Sequence, residues 1–264
     1  MPRSYTLVVR KLRLGVLLGL LGAVSLWAAA VHHRRAARNQ WHKPLEVAVV
    51  LLVADGEPDP AAWRGGLDEL QRWLSAEMAR YRPVIDDPPV RFSLYGPVHV
   101  DAPPQFLPDD DGLWTRATHA WKLSRQLAAL DARAGVRSSP VRLYLFLEKT
   151  DRTPTVEGAG EVGGDAGFVR ATLDPDLTLA LAATAHELFH CLGATDKYDG
   201  DGHARAPDGL VEPELGTAQR FAELMVGEVP LGPQKGRLPR SLDEVRVGAA
   251  TAAEVGWRLT PTGR

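Results

Sequence analysis

The chain has 264 residues, 45% of them hydrophobic, 24% charged and 7% aromatic, a balance that excludes a wholly disordered or collagen-like chain and fits one or two globular domains. A single cysteine, Cys191, excludes an internal disulfide framework and any multi-cysteine zinc or iron–sulfur site. The net charge of −2 is unevenly spread: residues 1–43 hold eight Lys and Arg and no acid, which leaves −10 on residues 44–264, an acidic body unsuited to nucleic acid.

Residues 1–13 form a basic tail. Leu14–Val31 (LGVLLGLLGAVSLWAAAV) follows without a charge and with only Ser25 polar. About 18 apolar residues just suffice to cross a bilayer core as a helix, and Trp27 sits near one end, where an indole favours the interface. A cleaved signal peptide ending at Ala28-Ala29-Ala30 and an uncleaved signal anchor both fit; the length of the run favours the anchor at 14–31. Four Lys and Arg on each side tie the positive-inside count. The resemblance to an export signal puts the body outside the cytoplasm, held at the membrane by this helix or released as a cleaved, secreted form. Residues 32–44 read as a basic linker closed by Pro44, its His32, His33 and His42 solvated rather than ligating.

The body alternates strands and helices. Leu45–Val53 (LEVAVVLLV) has the valine-rich, apolar character of a buried strand. Asp59-Pro60 offers a cap and a first-turn proline to an amphipathic helix over about 61–80, with Trp63, Leu67, Leu70, Trp73, Leu74 and Met78 at helical spacing. Val90–Tyr95 predicts a strand and Pro103–Asp111 a loop. Leu113–Ala134 predicts a second helix with Trp114, Ala117, Trp121, Leu127 and Leu130 as its apolar set, and Val141–Leu147 a third strand. This order argues for a mixed, mostly parallel α/β sheet. Glu157–Gly167 holds five glycines but lacks the lysine and spacing of a phosphate loop; it reads as a flexible loop where another backbone approaches, leading into a strand at Phe168–Thr172.

Asp174 and Pro175 then open a helix whose Leu177–Ala185 stretch is apolar on nearly every face and therefore buried. Polar groups placed there are costly unless partnered, and His186, Glu187 and His190 come next. Two histidines four apart share one helical face, so both imidazoles reach one ion. Glu187 projects beside the first, placed to take a proton from a metal-bound water. Gly193 can adopt the left-handed conformation that ends a helix, and the turn brings Asp196 back as a third ligand. Three protein ligands on zinc leave a position open for water, the catalytic arrangement.

The run HELFHCLGATD resembles the metzincin zinc peptidase signature H-E-x-x-H-x-x-G-x-x-H/D in its aspartate variant. The resemblance implies Zn2+ on His186, His190 and Asp196, Glu187 as general base, and a peptide or protein substrate. It also implies an α+β, zincin-like fold, with 45–193 as one subdomain and 194–264 as a smaller, mostly irregular or helical one. Met225, in AELMVG, is the sole methionine after the signature and the candidate for the family's methionine turn, with Gly193 as structural support. Phe168–Thr172 is the candidate edge strand for pairing with substrate. An aspartate ligand leaves the zinc unit at +1, so its water is less acidified than in a three-histidine site.

Two alternatives stay open: a downstream glutamate, Glu212 or Glu214, as third ligand, and a catalytically silent zinc module serving as an anchored binding protein. Tyr198 reads as packing rather than oxyanion stabilisation. Asp199, Asp201 and His203 read as a solvated turn, because the segment lacks the glutamate of a full calcium loop. Cys191 reads as buried core, and His99 and His119 have no motif around them. Ser241–Arg246 reads as a capped helix start and Ala249–Trp257 as a closing helix.

Overall fold

The β-branched and leucine-rich run Leu45–Val53 forms the first strand, β1, buried at every position but Glu46. In the computed structural model, residues 3–83, 88–106, 112–149, 156–160, 162–173 and 176–258 are described. The Asp174-Pro175 helix opening, positions 107–111 of the loop and Glu161 lie outside them. Residues Met1–Gln40 and Trp41–Arg264 are separate compact units. The first holds one helix, α1 (Arg3–Arg38), whose 18-residue window Arg13–Ala30 has a mean hydropathy of 1.7 and is long and apolar enough to cross a membrane. The helix runs on through His32–Arg38, where a linker was expected; Ala36, Ala37 and the arginines there are good helix formers.

The body builds a five-stranded sheet. Along the chain come α2 (Pro60–Ala79), β2 (Val90–His99), α3 (Leu113–Ala134), β3 (Val141–Glu148), β4 (Val156–Gly160), β5 (Ala166–Thr172) and α4 (Thr178–Cys191). The spatial order is β2-β1-β3-β5-β4, with β4 antiparallel to β5 and every other pair parallel. The chain steps from β1 to one side and then back across to β3. With right-handed crossovers that reversal puts α2 and α3 on opposite faces. Side-chain alternation shows the two faces: Val49 and Leu51 of β1 with Leu143 and Leu145 of β3 pack under α2 and α4. Val50, Leu52, Tyr144 and Phe146 pack under Leu127 and Leu130 of α3. The α/β class expected from the sequence is therefore the one observed.

After α4 the chain is mostly irregular. Short strands β6 (Ala222–Glu223), β7 (Val229–Gly232), β8 (Lys235–Arg237) and β9 (Val245–Arg246) precede the helix α5 (Ala249–Glu254). This region is bolted to the rest through α2 and the turn after it: the Trp73 Nε1–H donates to the carbonyl of Val245 at 3.3 Å and the Tyr81 hydroxyl to that of Val247 at 2.5 Å. The buried Glu77 carboxylate accepts the Val247 N–H at 2.8 Å.

Four expectations need correcting. The glycine run is not a loop throughout, since Val156–Gly160 is a strand, and it is β4 rather than Phe168–Thr172 that forms the sheet edge. β5 is flanked on both sides because the chain doubles back antiparallel before entering it. Ser241–Arg246 makes one 3-10 turn, Leu242–Glu244, and then a strand rather than a helix. Trp114 and Trp121 of α3 are exposed; the first half of α3 stands off the sheet over a groove of about 900 Å3 that Phe106, His119 and Leu123 help line.

At the centre of the body, Trp257 meets Trp41 edge-on at 5.9 Å and Phe189 of α4 at 5.2 Å. The Trp41 Nε1–H donates to the carbonyl of Val255 at 2.7 Å. Trp257 is fully buried. Trp257→Ala should cost about 3–5 kcal/mol of stability, read from the urea midpoint of unfolding at unchanged slope.

Candidate metal centre

Helix α4 is apolar for two turns, then carries His186, Glu187 and His190. It starts beside Asp176, whose Oδ1 accepts the Thr178 N–H at 3.0 Å; that bond lowers the Asp176 pKa. It ends in a Schellman turn: the Gly193 N–H donates to His190 and the Ala194 N–H to Phe189, both at 2.9 Å, and Gly193 has φ +99°. The glycine expected to break the helix therefore does so, and the reversal carries Asp196 back over the last turn. Asp196 Oδ1 lies 3.3 Å from His186 Nε2 and 3.3 Å from His190 Nε2.

The protonation of the rings follows from their other nitrogens. His186 Nδ1 is 3.0 Å from the carbonyl of Leu224, and His190 Nδ1 is 3.0 Å from that of Ala194. A carbonyl only accepts, so each Nδ1 carries a proton and each ring turns its Nε2 towards Asp196, as an N–H when the ring is charged and as a lone pair when it is neutral. With both rings neutral, that carboxylate oxygen faces two lone pairs, an arrangement that a shared cation relieves. Atoms bound about 2.0–2.1 Å from a tetrahedral zinc stand about 3.3–3.4 Å apart, and the two Asp196 separations match that edge. Asp196 Oδ1 is buried and has no aligned hydrogen bond. Two nitrogens and one oxygen of this kind fit a zinc ion.

Burial alone would raise the Asp196 pKa, but the two imidazoles outweigh it and hold the carboxyl well below the usual range. For His190 burial acts downward, and Asp196, Glu187 and the Ala194 carbonyl outweigh it to raise the ring. Glu187, nearly sealed at 2% exposure, is pushed up by burial against the pull of both histidines. Its Oε2 has no hydrogen-bond partner, and ligand atoms of His186, Glu187 and His190 lie within 4.8 Å of one another.

Glycines make room for Glu187. A Cβ at Gly158 would sit 2.0 Å from its Oε1, and one at Gly160 2.6 Å from its Oε2. At Gly167 a Cβ would meet the Glu187 Cβ at 3.1 Å. The run thus accommodates a carboxylate and also, as expected, another backbone: the Gly163 N–H donates to the carbonyl of His190 at 2.7 Å. Beside His186 and Glu187 opens a cleft of about 420 Å3, walled by Leu179, Ala183, Leu224, Val226 and Leu238.

The remaining candidates sort as follows. Tyr198 lines the cleft and hydrogen-bonds Asp196; burial first and then Asp196 raise its pKa, so the packing reading understates it. Asp199 Oδ1 accepts the N–H groups of Asp201 and His203, both at 3.0 Å, which makes that segment a self-closed turn. Glu212 is engaged with Arg220 and the Gln219 side chain, and Glu214 lies exposed in a 3-10 turn. Met225 is fully buried in the turn after Glu223, and its carbonyl accepts the Lys197 N–H at 3.0 Å. Cys191 is buried.

Sequence reasoning missed a clamp beside Asp196. The Lys197 ammonium, 2% exposed, contacts both Glu254 oxygens of α5 at 2.8 and 2.7 Å and Thr195 Oγ1 at 2.7 Å. Thr195 donates its N–H and hydroxyl to Glu254, each at 3.0 Å. Both neighbours of Asp196 are thereby pinned to one carboxylate 57 residues beyond Lys197. Nothing in the local pattern marks such a pair.

No family model matches the chain, and no curated protein matches it. Among solved structures it is similar to catalytically inactive OgpA from Akkermansia muciniphila in complex with an O-glycopeptide, glycodrosocin, at 17% identity and TM-score 0.42 over 84% of this chain and 63% of that one. It is also similar to archaemetzincin from Methanopyrus kandleri, at 15% identity and TM-score 0.32 over 81% and 87%. The chain spans less than two thirds of the OgpA length.

Removing the exposed Glu254 leaves the buried Lys197 ammonium short of its partner. Glu254→Ala should therefore cost about 1–3 kcal/mol, read by chemical denaturation, while Glu254→Ala with Lys197→Met recovers most of it. A lowered Asp196 contributes stability that is lost as pH falls through its folded pKa; a raised His190 contributes stability that is lost as pH rises above about 6.5. Metal-free protein should accordingly melt higher at about pH 5.5 than at about pH 8. Zinc affinity should run the other way, because bound imidazoles must be neutral; chelator competition at the two pH values checks it.

Proposed function

We propose that this protein is a zinc-dependent peptidase, with His186, His190 and Asp196 as the metal ligands and Glu187 as general base. The observation that carries the reading is the convergence of the two Nε2 atoms on the Asp196 carboxylate, 3.3 Å from each. Zinc bound there would lower the pKa of water and polarise a substrate carbonyl. Glu187, kept from bulk water and raised in pKa by burial, takes the proton of the attacking water and passes it to the leaving amine. The cleft beside His186 receives a substrate side chain of apolar character, judged by its leucine and valine walls. β4, paired on one side only, presents backbone to an extended peptide. Gly193 and Met225 support the site, the first by ending α4 and the second by filling the turn that faces His186.

The reading extends to placement. Residues 14–31 within α1 serve as a single-pass signal anchor, with residues 32–44 as the tether and the body outside the cytoplasm. Support comes from the apolar window and its basic flanks. Residues 45–193 then hold two ligands and the base, and residues 194–264 supply Asp196 and the methionine turn.

Glu187→Ala should retain stoichiometric zinc by metal analysis while peptide-library cleavage falls by about 10²–10⁴-fold. Full activity in this variant would sink the mechanism, and wild-type protein with zinc but no turnover would mark a silent binding module. Asp196→Ala should weaken zinc binding sharply; undiminished affinity would return Glu212 or Glu214 to consideration.

A further inference from the structure

One buried carboxylate near the site has no part in the chemistry described so far. Glu223 ends β6 and is fully buried. Its Oε2 accepts the Met225 N–H at 2.5 Å, and its Oε1 accepts the Gly248 N–H at 3.0 Å and the Thr251 hydroxyl at 2.7 Å. Gly248 is packed so closely that a Cβ there would stand 3.0 Å from the Glu223 Cγ. These bonds join two segments far apart in the chain. One is the tight turn after Glu223, closed by the Val226 and Gly227 N–H groups on the Glu223 carbonyl at 2.9 and 3.0 Å. The other is the first turn of α5, which Gly248 caps.

Between the anchored Glu223 side chain and the anchored Met225 N–H lies Leu224, whose carbonyl takes the His186 Nδ1–H. Its own N–H is held by the carbonyl of Arg246 at 2.9 Å. The Leu224 peptide is thereby fixed from both sides, and so is the direction of the one carbonyl that sets the His186 tautomer and ring plane.

We propose that Glu223 is a positioning residue of the metal centre, acting on His186 through the Leu224 carbonyl. The inference rests on the zinc reading above. The isosteric change that breaks the anchoring is Glu223→Gln: an amide keeps the shape but cannot accept at every site, so one N–H of the turn or of α5 faces a donor. Groups of this kind behind a metal-bound histidine typically contribute 10–100-fold in metal affinity. A merely structural carboxylate would lower the melting temperature and leave the affinity of the surviving folded protein unchanged.

The test is zinc affinity by chelator competition on the full chain, at a temperature well below the melting point of each variant, with the metal-free melting temperature recorded in parallel. Glu223→Gln should bind zinc about 10–100-fold more weakly than wild type. Thr251→Val, which removes one of the three bonds far from the ligands, should give a smaller loss in the same direction and stands in if Glu223→Gln does not fold. Wild-type affinity in Thr251→Val, or in a folded Glu223→Gln, with only the melting temperature lowered, overturns the proposal while leaving the zinc reading intact. Wild-type protein that binds no zinc overturns both.

Discussion

A carboxylate oxygen set against the Nε2 atoms of two imidazoles is the constraint around which this body is organised. Each ring has only Nε2 free, because the carbonyls of Leu224 and Ala194 accept from Nδ1. Left to themselves the three groups would separate or protonate. They are held together by backbone features that cost the chain freedom elsewhere: a Schellman reversal at Gly193, the pinning of Thr195 and Lys197 by Glu254, and the turn after Glu223. Three peptide segments, at 186–197, 222–227 and 248–254, thus hold one cluster of donor atoms.

The sheet serves the same cluster from the other side. α4 lies against β4 and β5, and the glycines of those strands let the Glu187 carboxylate sink to the backbone. The depth matters because a carboxylate sealed from bulk water is a stronger base than an exposed one. Side chains at Gly158 or Gly160 would push Glu187 out or lift the edge strand off the helix. Glycine thus has a steric role in these strands, separate from its conformational freedom.

Much of this was legible beforehand, and the limit is physical. β1 and α3 are read to their boundaries, because uniform burial and a strong apolar period leave local signals. The histidine pair, Glu187 and the return of Asp196 follow from helical spacing and one glycine, all within eleven consecutive residues. Strand pairing was harder: whether β4 or β5 forms the edge depends on a reversal inside a glycine-rich stretch with no alternation to read. Least legible were the supports. Glu223 and Glu254 look like ordinary surface acids in sequence, and the contacts that engage them lie 25 to 59 residues away. The tryptophans of α3 mislead in the opposite sense, since their period marks an apolar face that the sheet does not cover.

The indole of Trp41, at the start of the body, is bonded to the carbonyl of Val255 and leans on Trp257 near its far end. The first and last described stretches of the body therefore lie side by side. A unit in which two such stretches adjoin can be spliced into a surface loop of another protein through them without stretching its interior.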